Sequence, residues 1–259
     1  MFSDLIARGE EDKYVVLYDK FKDLIDVNWE NTNIVQRNTA LIRASFYGRY
    51  SAVKWLLEHT NARTEVNKRV KYKYTALMNA AETGQEDIIT LLIQYGARVH
   101  DVDTDKGWNA LIWAAANGHD STIALLLSYG ARIEVRDRTS KTAVFHAIEK
   151  GYTNALLALI DHGASLNVLD YRGNGVLHAA CVEGNETIVD ILLARMTDDQ
   201  INVQNEAGDT PLICAVRNGY ENVVLALLNR GVDVNVKNKY GYSPLMHAVR
   251  WREFPIALL

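Results

Sequence analysis

Cysteine is scarce in this 259-residue chain, which has two, Cys181 and Cys214. Two cannot build a disulfide framework, and their neighbourhoods read as helix rather than as zinc knuckles, so a stapled small fold is excluded. The thiol usage suits a reducing compartment. Strong charge of one sign is also missing: the formal net charge is −4, which gives no global pull toward nucleic acid or anionic lipid. No apolar run approaches the ~18 residues of a membrane span. The opening "MFSDLIARGEEDK" lacks the cationic start and apolar run of a secretory leader. These absences point to a cytoplasmic protein. The seven histidines pair with no His, Cys or carboxylate at metal-ligand spacing. No glycine-rich loop opens a helix in phosphate-binding form, and nothing assembles a nucleophile, a base and an orienting group. The expectation is a non-enzyme with no cofactor and no metal. What the chain does have is 48% hydrophobic and 23% charged residues, a balance that suits a soluble globular fold and not a disordered one.

Its organisation comes from internal repetition. Thr39, Thr75, Asn109, Thr142, Gly175, Thr210 and Ser243 mark equivalent positions, spaced 36, 34, 33, 33, 35 and 33 residues apart. Nine residues after each of the first six anchors stands a glycine: Gly48, Gly84, Gly118, Gly151, Gly184 and Gly219. A second glycine follows 21 residues after the anchor at Gly96, Gly130, Gly163 and Gly231. The two complete units without it, with Thr60 and Met196 at that place, are those whose spacing stretches to 36 and 35. The anchors are all acceptable helix N-caps, and Pro211 and Pro244 follow two of them, where a missing N–H costs nothing. The first glycine suits a left-handed helix end. A second apolar-periodic helix and a polar loop complete the unit. Alanine pairs such as Ala80–Ala81 and Ala114–Ala115 let neighbours approach closely, and no unit buries its apolar face alone, so the units must stack.

The stretches "DTPLICAVRNGYENVVLALLNRGVDVNVKN" and "GVLHAACVEGNETIVDILLAR" resemble ankyrin repeats, with their T-P-L-H-x-A-A start, glycine, V-x-x-L-L helix and G-A-x-x-N ending. The resemblance covers residues 39–259 as seven repeats, the last truncated. Residues 1–38 read as a divergent N-terminal capping unit. It implies an all-α ankyrin-repeat solenoid of stacked antiparallel helix pairs with projecting hairpin-like fingers, whose concave face comprises fingers and first helices. The implied function is a non-catalytic protein-protein interaction scaffold. The alternative is the targeting domain of a larger catalytic or regulatory protein, such as a kinase, a channel or a host-directed bacterial effector. The final segment "FPIALL" leaves an apolar edge with Phe254, Ile256, Leu258 and Leu259, open to end-to-end self-association.

Several local motifs resolve into structural readings. Asp101, Asp103 and Asp105 match the first ligands of an EF-hand loop, but Lys106 and Ile112 stand where glycine and glutamate are required. The basic stretch with Lys68, Arg69, Lys71 and Lys73 is a small phosphate footprint and should be compensated by that neighbouring acidic finger, so nucleic acid is not the expected partner. His119 and His178 match positions that the family uses for local hydrogen bonds. Asn235 resembles family asparagines that undergo hydroxylation, against the plainer reading of an asparagine closing a turn. The position four after each anchor scatters in size and polarity (Arg43, Asn79, Trp113, His146, Ala179, Cys214, His247), so it should not face the common core. The resemblance implies that Trp113 and Trp108, directly before its anchor, both look toward the concave side, so both are expected largely on one surface; the alternative is that Trp113 packs against a neighbouring first helix. The expected docking patch is Trp113 at the centre with Trp108, Tyr72, Tyr74, Asn79, His146, Phe46, Tyr47 and Arg43, a composition typical of binding hot spots.

Overall fold

Five of the seven anchors cap the helix that follows with their own side chains. Thr39, Thr75, Thr210 and Ser243 each accept the amide of the third residue on at 3.3 Å, and Asn109 does so at 2.9 Å. At Gly175 the task is inverted, because His178 Nδ1 accepts the Gly175 amide at 3.1 Å. These caps satisfy donors that a helix start leaves orphaned. The first glycines all take positive φ, from 67° at Gly48 to 78° at Gly118, which turns the chain straight into the second helix.

The computed structural model describes residues 2–21, 39–60, 65–69, 74–250 and 254–258, in two compact units, Met1–Val135 and Arg136–Leu259. The first unit holds α1 (Phe2–Arg8), α2 (Glu11–Phe21), α3 (Ala40–Phe46), α4 (Tyr50–His59), α5 (Ala76–Glu82), α6 (Glu86–Gln94), α7 (Ala110–Ala116) and α8 (Asp120–Ser128). The second holds α9 (Ala143–Glu149), α10 (Thr153–Asp161), α11 (Val176–Glu183), α12 (Glu186–Leu193), α13 (Asp198–Ile201), α14 (Pro211–Asn218), α15 (Glu221–Arg230), α16 (Pro244–Arg250) and α17 (Phe254–Ala257). Among the described residues there is no strand, only an isolated bridge between Leu169 and Gly175. The architecture is all-α.

Within each unit, first helices pack on first helices: α1, α3, α5 and α7 in one row, α9, α11, α14 and α16 in the other. The residue five after every anchor is alanine, and Ala44, Ala80, Ala114, Ala147, Ala180, Ala215 and Ala248 are all buried. A methyl group is the largest side chain that lets these short helices meet so closely. Leucine, isoleucine and valine on the second helices close the core behind them.

The two stretched repeats end differently from the rest. Thr60 caps α4 by giving its hydroxyl to Leu56 O at 2.6 Å. After α12 the extra length becomes α13, opened by Gln200 Oε1 accepting the Thr197 amide at 2.9 Å. At the N-terminus, α1 and α2 form a further helix pair. Its turn residue, Gly9, has φ 74° like the repeat glycines. Asp4 pairs with Arg43 at 2.6 Å, and Tyr14 packs on Trp55 at 5.4 Å. At the other end, Ile256 is buried, correcting its reading as an open edge, whereas Leu258 is exposed together with Leu245, Met246 and Val249. The Phe254 side chain and Leu259 lie outside the described residues.

Candidate functional site

Five fingers are each closed by one carboxylate or amide. Asp103 Oδ1 accepts the amides of Asp105, Lys106 and Gly107, and its Oδ2 accepts that of Trp108. Both oxygens of the second aspartate in the EF-hand-like run thus serve the turn. Asp137, Asp170, Asn205 and Asn238 repeat the device five residues before their anchors. Two residues before the anchor, Gly107, Gly173, Gly208 and Gly241 take positive φ. Neither finger position was among the repeat features read from sequence, although the glycine recurs two residues before the anchor and the closing residue five before it, or six at Asp103. In the second unit the finger tips join into a ladder: Tyr171 N donates to Thr139 O, Glu206 N to Arg172 O and Lys239 N to Ala207 O, at 2.9–3.0 Å. In the first unit, Arg69 pairs with Asp101 at 3.1 Å, one ion pair between the basic and acidic fingers, while Lys68 pairs with Glu65 of its own finger; Lys71 and Lys73 lie outside the described residues.

The position four after the anchor lies against the base of the finger and is largely buried. His146 Nε2 meets Asp137 Oδ2 at 2.9 Å, and His247 Nε2 accepts from Asn238 Nδ2 at 3.2 Å. Arg43 reaches Asp4, and Asn79 donates to Thr75 O at 3.0 Å. For Arg43, Asn79, His146 and His247 the residue type matches a particular hydrogen-bond partner rather than exposure.

Trp113 follows the same rule and corrects an expectation. The residue is only 8% exposed. Tyr74 meets it edge-on at 5.2 Å and Trp108 at 4.7 Å, and Lys106 Nζ lies over both indoles, 4.2 Å from Trp108 and 5.0 Å from Trp113. The two tryptophans do look at the same thing, but the outward members of the cluster are Lys106, exposed, and Trp108, half-buried. Arg43, Asn79 and His146 are likewise buried, against the expected exposed patch. His146 belongs to the second unit, whereas the other described members belong to the first. Phe46 and Tyr47 are exposed and pack edge-on at 5.2 Å, and Tyr72 lies outside the described residues.

A groove of about 920 Å³ lies in the second unit, between the fingers and helices α11 and α14. Tyr171 and Tyr240 stand on its rim, and Arg172 lies over the Tyr171 ring at 5.1 Å. Glu149, Glu183 and Arg217 supply charge of both signs along it. None of the rim residues was singled out from sequence; their signal was aromatic residues at loop tips, in "DYRGN" and "NKYGY".

The titratable groups behave as structural ones. Burial pushes Cys214 up to about 12 and Cys181 well above the usual thiol value, which suppresses thiolate chemistry. His119 Nε2 bonds to Glu82 O and His178 Nε2 to Asp209 O, each at 2.9 Å, linking neighbouring repeats as expected. Because His178 Nδ1 accepts and Nε2 donates, the ring is held neutral. Asn235 is exposed, and its turn is closed by Asp233, which accepts the Asn235 amide at 2.8 Å, so the plainer reading is corrected to Asp233.

Capped helix pairs, left-handed glycine turns and hydrogen-bonded fingers in tandem define a helical repeat protein of the interaction type. The ankyrin repeats (3 copies) profile matches residues 14–103, 60–137, 99–170, 134–201 and 177–259, and the chain belongs to the ankyrin-repeat family. Ankyrin repeats are protein-protein interaction modules. The chain is similar to the mouse B-cell lymphoma 3 protein homolog, 33% identical over 120 residues, covering 45% of this chain and 27% of that protein. It is 34% identical over 109 residues to Xenopus laevis neurogenic locus notch homolog protein 1, covering 42% of this chain and 4% of the relative. For human neurogenic locus notch homolog protein 2 the figures are 32% over 123 residues, 48% and 5%. The match therefore spans well under half the length of each of these relatives. Among the described residues, no helix is long and apolar enough to cross a membrane.

Proposed function

We propose that this chain is a non-catalytic module that holds a protein or peptide partner on its finger-and-first-helix face. The observation that carries this reading is the groove of about 920 Å³ in the second unit. It is long and open, its rim is aromatic, and it offers arginine and glutamate rather than a converging catalytic set. Rings beside arginine at the edge of a polar trough suit an extended peptide with charges of both signs. In the first unit, Trp108, Tyr74, Phe46 and Tyr47 are the accessible remnant of the aromatic patch and a second contact for the same kind of partner.

The test is selection of a displayed random-peptide library on the protein. Affinities of the winners are then measured on the wild type and on the Tyr171→Ala/Tyr240→Ala variant. Both tyrosines are exposed, so the fold should survive their truncation. The expected loss of affinity is about thirtyfold or more, the usual effect of removing a hot-spot ring. Winners that bind the variant as tightly as the wild type overturn the groove reading.

A further inference from the structure

Two indole rings face one ammonium in the first unit, a tyrosine braces one of them, and the ammonium is the protein's own. Lys106 Nζ sits 4.2 Å from the Trp108 centroid and 5.0 Å from that of Trp113, with Tyr74 edge-on to Trp113. On α5, burial raises the Glu82 carboxyl pKa, and the Lys106 charge acts against that rise. A cation over an indole face is attracted by the ring quadrupole, more strongly when water is excluded.

The rings are fixed and the cation is not. Trp113 is buried on α7, and Trp108 and Tyr74 pack edge-on against it at 4.7 and 5.2 Å. Lys106 is exposed as a residue, and its amide is held by Asp103 Oδ1 at 2.6 Å independently of where its side chain lies. Its side chain therefore can swing into solvent without disturbing the finger. A preformed aromatic seat with a detachable cation is a receptor holding a resident stand-in.

The chemistry of the seat also selects its ligand. A primary ammonium carries three N–H donors and is strongly hydrated, and ring faces replace that hydration poorly. Methylation removes donors and weakens hydration while the charge stays, so a methylated ammonium gives up less on leaving water for the same rings. We propose that Trp108 and Trp113, braced by Tyr74, form a binding site for a methylated ammonium group, gated by Lys106. The site is independent of the groove in the second unit.

The test titrates wild type, Lys106→Ala and Trp108→Ala with three probes: a short peptide carrying trimethyllysine, the same peptide with the neutral tert-butyl isostere, and tetramethylammonium chloride. The indole N–H resonances of Trp108 and Trp113 are followed by NMR. The trimethyllysine peptide, tetramethylammonium, or both should shift these signals, and the isostere should not. Lys106→Ala should tighten binding about tenfold, because it removes a competing cation–π partner, and Trp108→Ala should abolish it. A response to the peptide alone assigns the site to a modified protein side chain, and a response to tetramethylammonium alone to a small cation; either supports the proposal. Equal binding of the isostere, no binding of either cation, or failure of Lys106→Ala to tighten binding overturns it. Lys106→Ala alters an exposed side chain, so its result stands even if Trp108→Ala perturbs the fold.

Discussion

Ser140 occupies the finger position that glycine holds at Gly107, Gly173, Gly208 and Gly241, and it adopts φ 62°. Among the described residues it is the one non-glycine with positive φ. A side chain there costs of order 1–3 kcal/mol, partly offset because glycine loses more freedom on folding. Ser140→Gly should therefore stabilise the protein by about 0.5–1 kcal/mol, read as a rise in the urea midpoint at unchanged slope. Trp113 teaches a related lesson about single positions. The variability of the fourth residue after the anchor reads as exposure when it is judged against the shared core. In the fold, the polar and aromatic residues at this position are buried against partners of their own, and Trp113 has Tyr74, Trp108 and Lys106.

Fingers gain their order from one another. A Cβ on Gly208 would lie 2.7 Å from Lys239 N, on the next finger, whereas one on Gly241 meets nothing within 4 Å. The two glycines have nearly the same φ, 78° and 80°, so the backbone penalty of alanine is shared. Gly241→Ala should cost about 1–2 kcal/mol, and Gly208→Ala at least about 1 kcal/mol more, because the adjacent backbone must move. Paired denaturation curves of the two variants measure the difference. Equal losses would mean that the finger ladder contributes nothing to stability. The extra helix α13 shows the same economy at element scale: a two-residue excess in spacing becomes a capped turn of helix instead of a slack loop.

For the molecule as a whole, three buried histidines make stability depend on pH. Desolvation pushes His146, His178 and His247 below the ordinary value of 6.5, against the opposing pull of nearby aspartates. The unfolded chain therefore binds more protons than the folded one just below that value. The contribution of these groups is complete above about pH 6.5 and is lost as pH falls through the lowered folded values. The urea midpoint should be lower at about pH 5.5 than at about pH 7.5. His178→Gln should flatten that dependence while lowering stability at both values, because the ring's two bonds to Gly175 and Asp209 are lost. Asp137 adds a second, more acidic step. Burial would raise its carboxyl, but hydrogen bonds from Thr139, the Lys141 amide and His146 outweigh that and hold it low.

What the sequence determined by itself was everything that recurs. Anchor, alanine and glycine return at fixed intervals because each unit solves the same capping, close-approach and turning problem, and local chemistry is enough to read the solution. The helix pairs, the structural histidines and the compensation between Arg69 and Asp101 were legible for that reason. The tertiary structure alone decided what each non-repeating residue faces. Burial of Trp113 depends on Lys106 and Tyr74 folding over it, and exposure of Tyr171 and Tyr240 depends on the finger ladder holding them at a rim. Side-chain direction at a variable position is set by the neighbouring unit, through contacts that no single repeat contains.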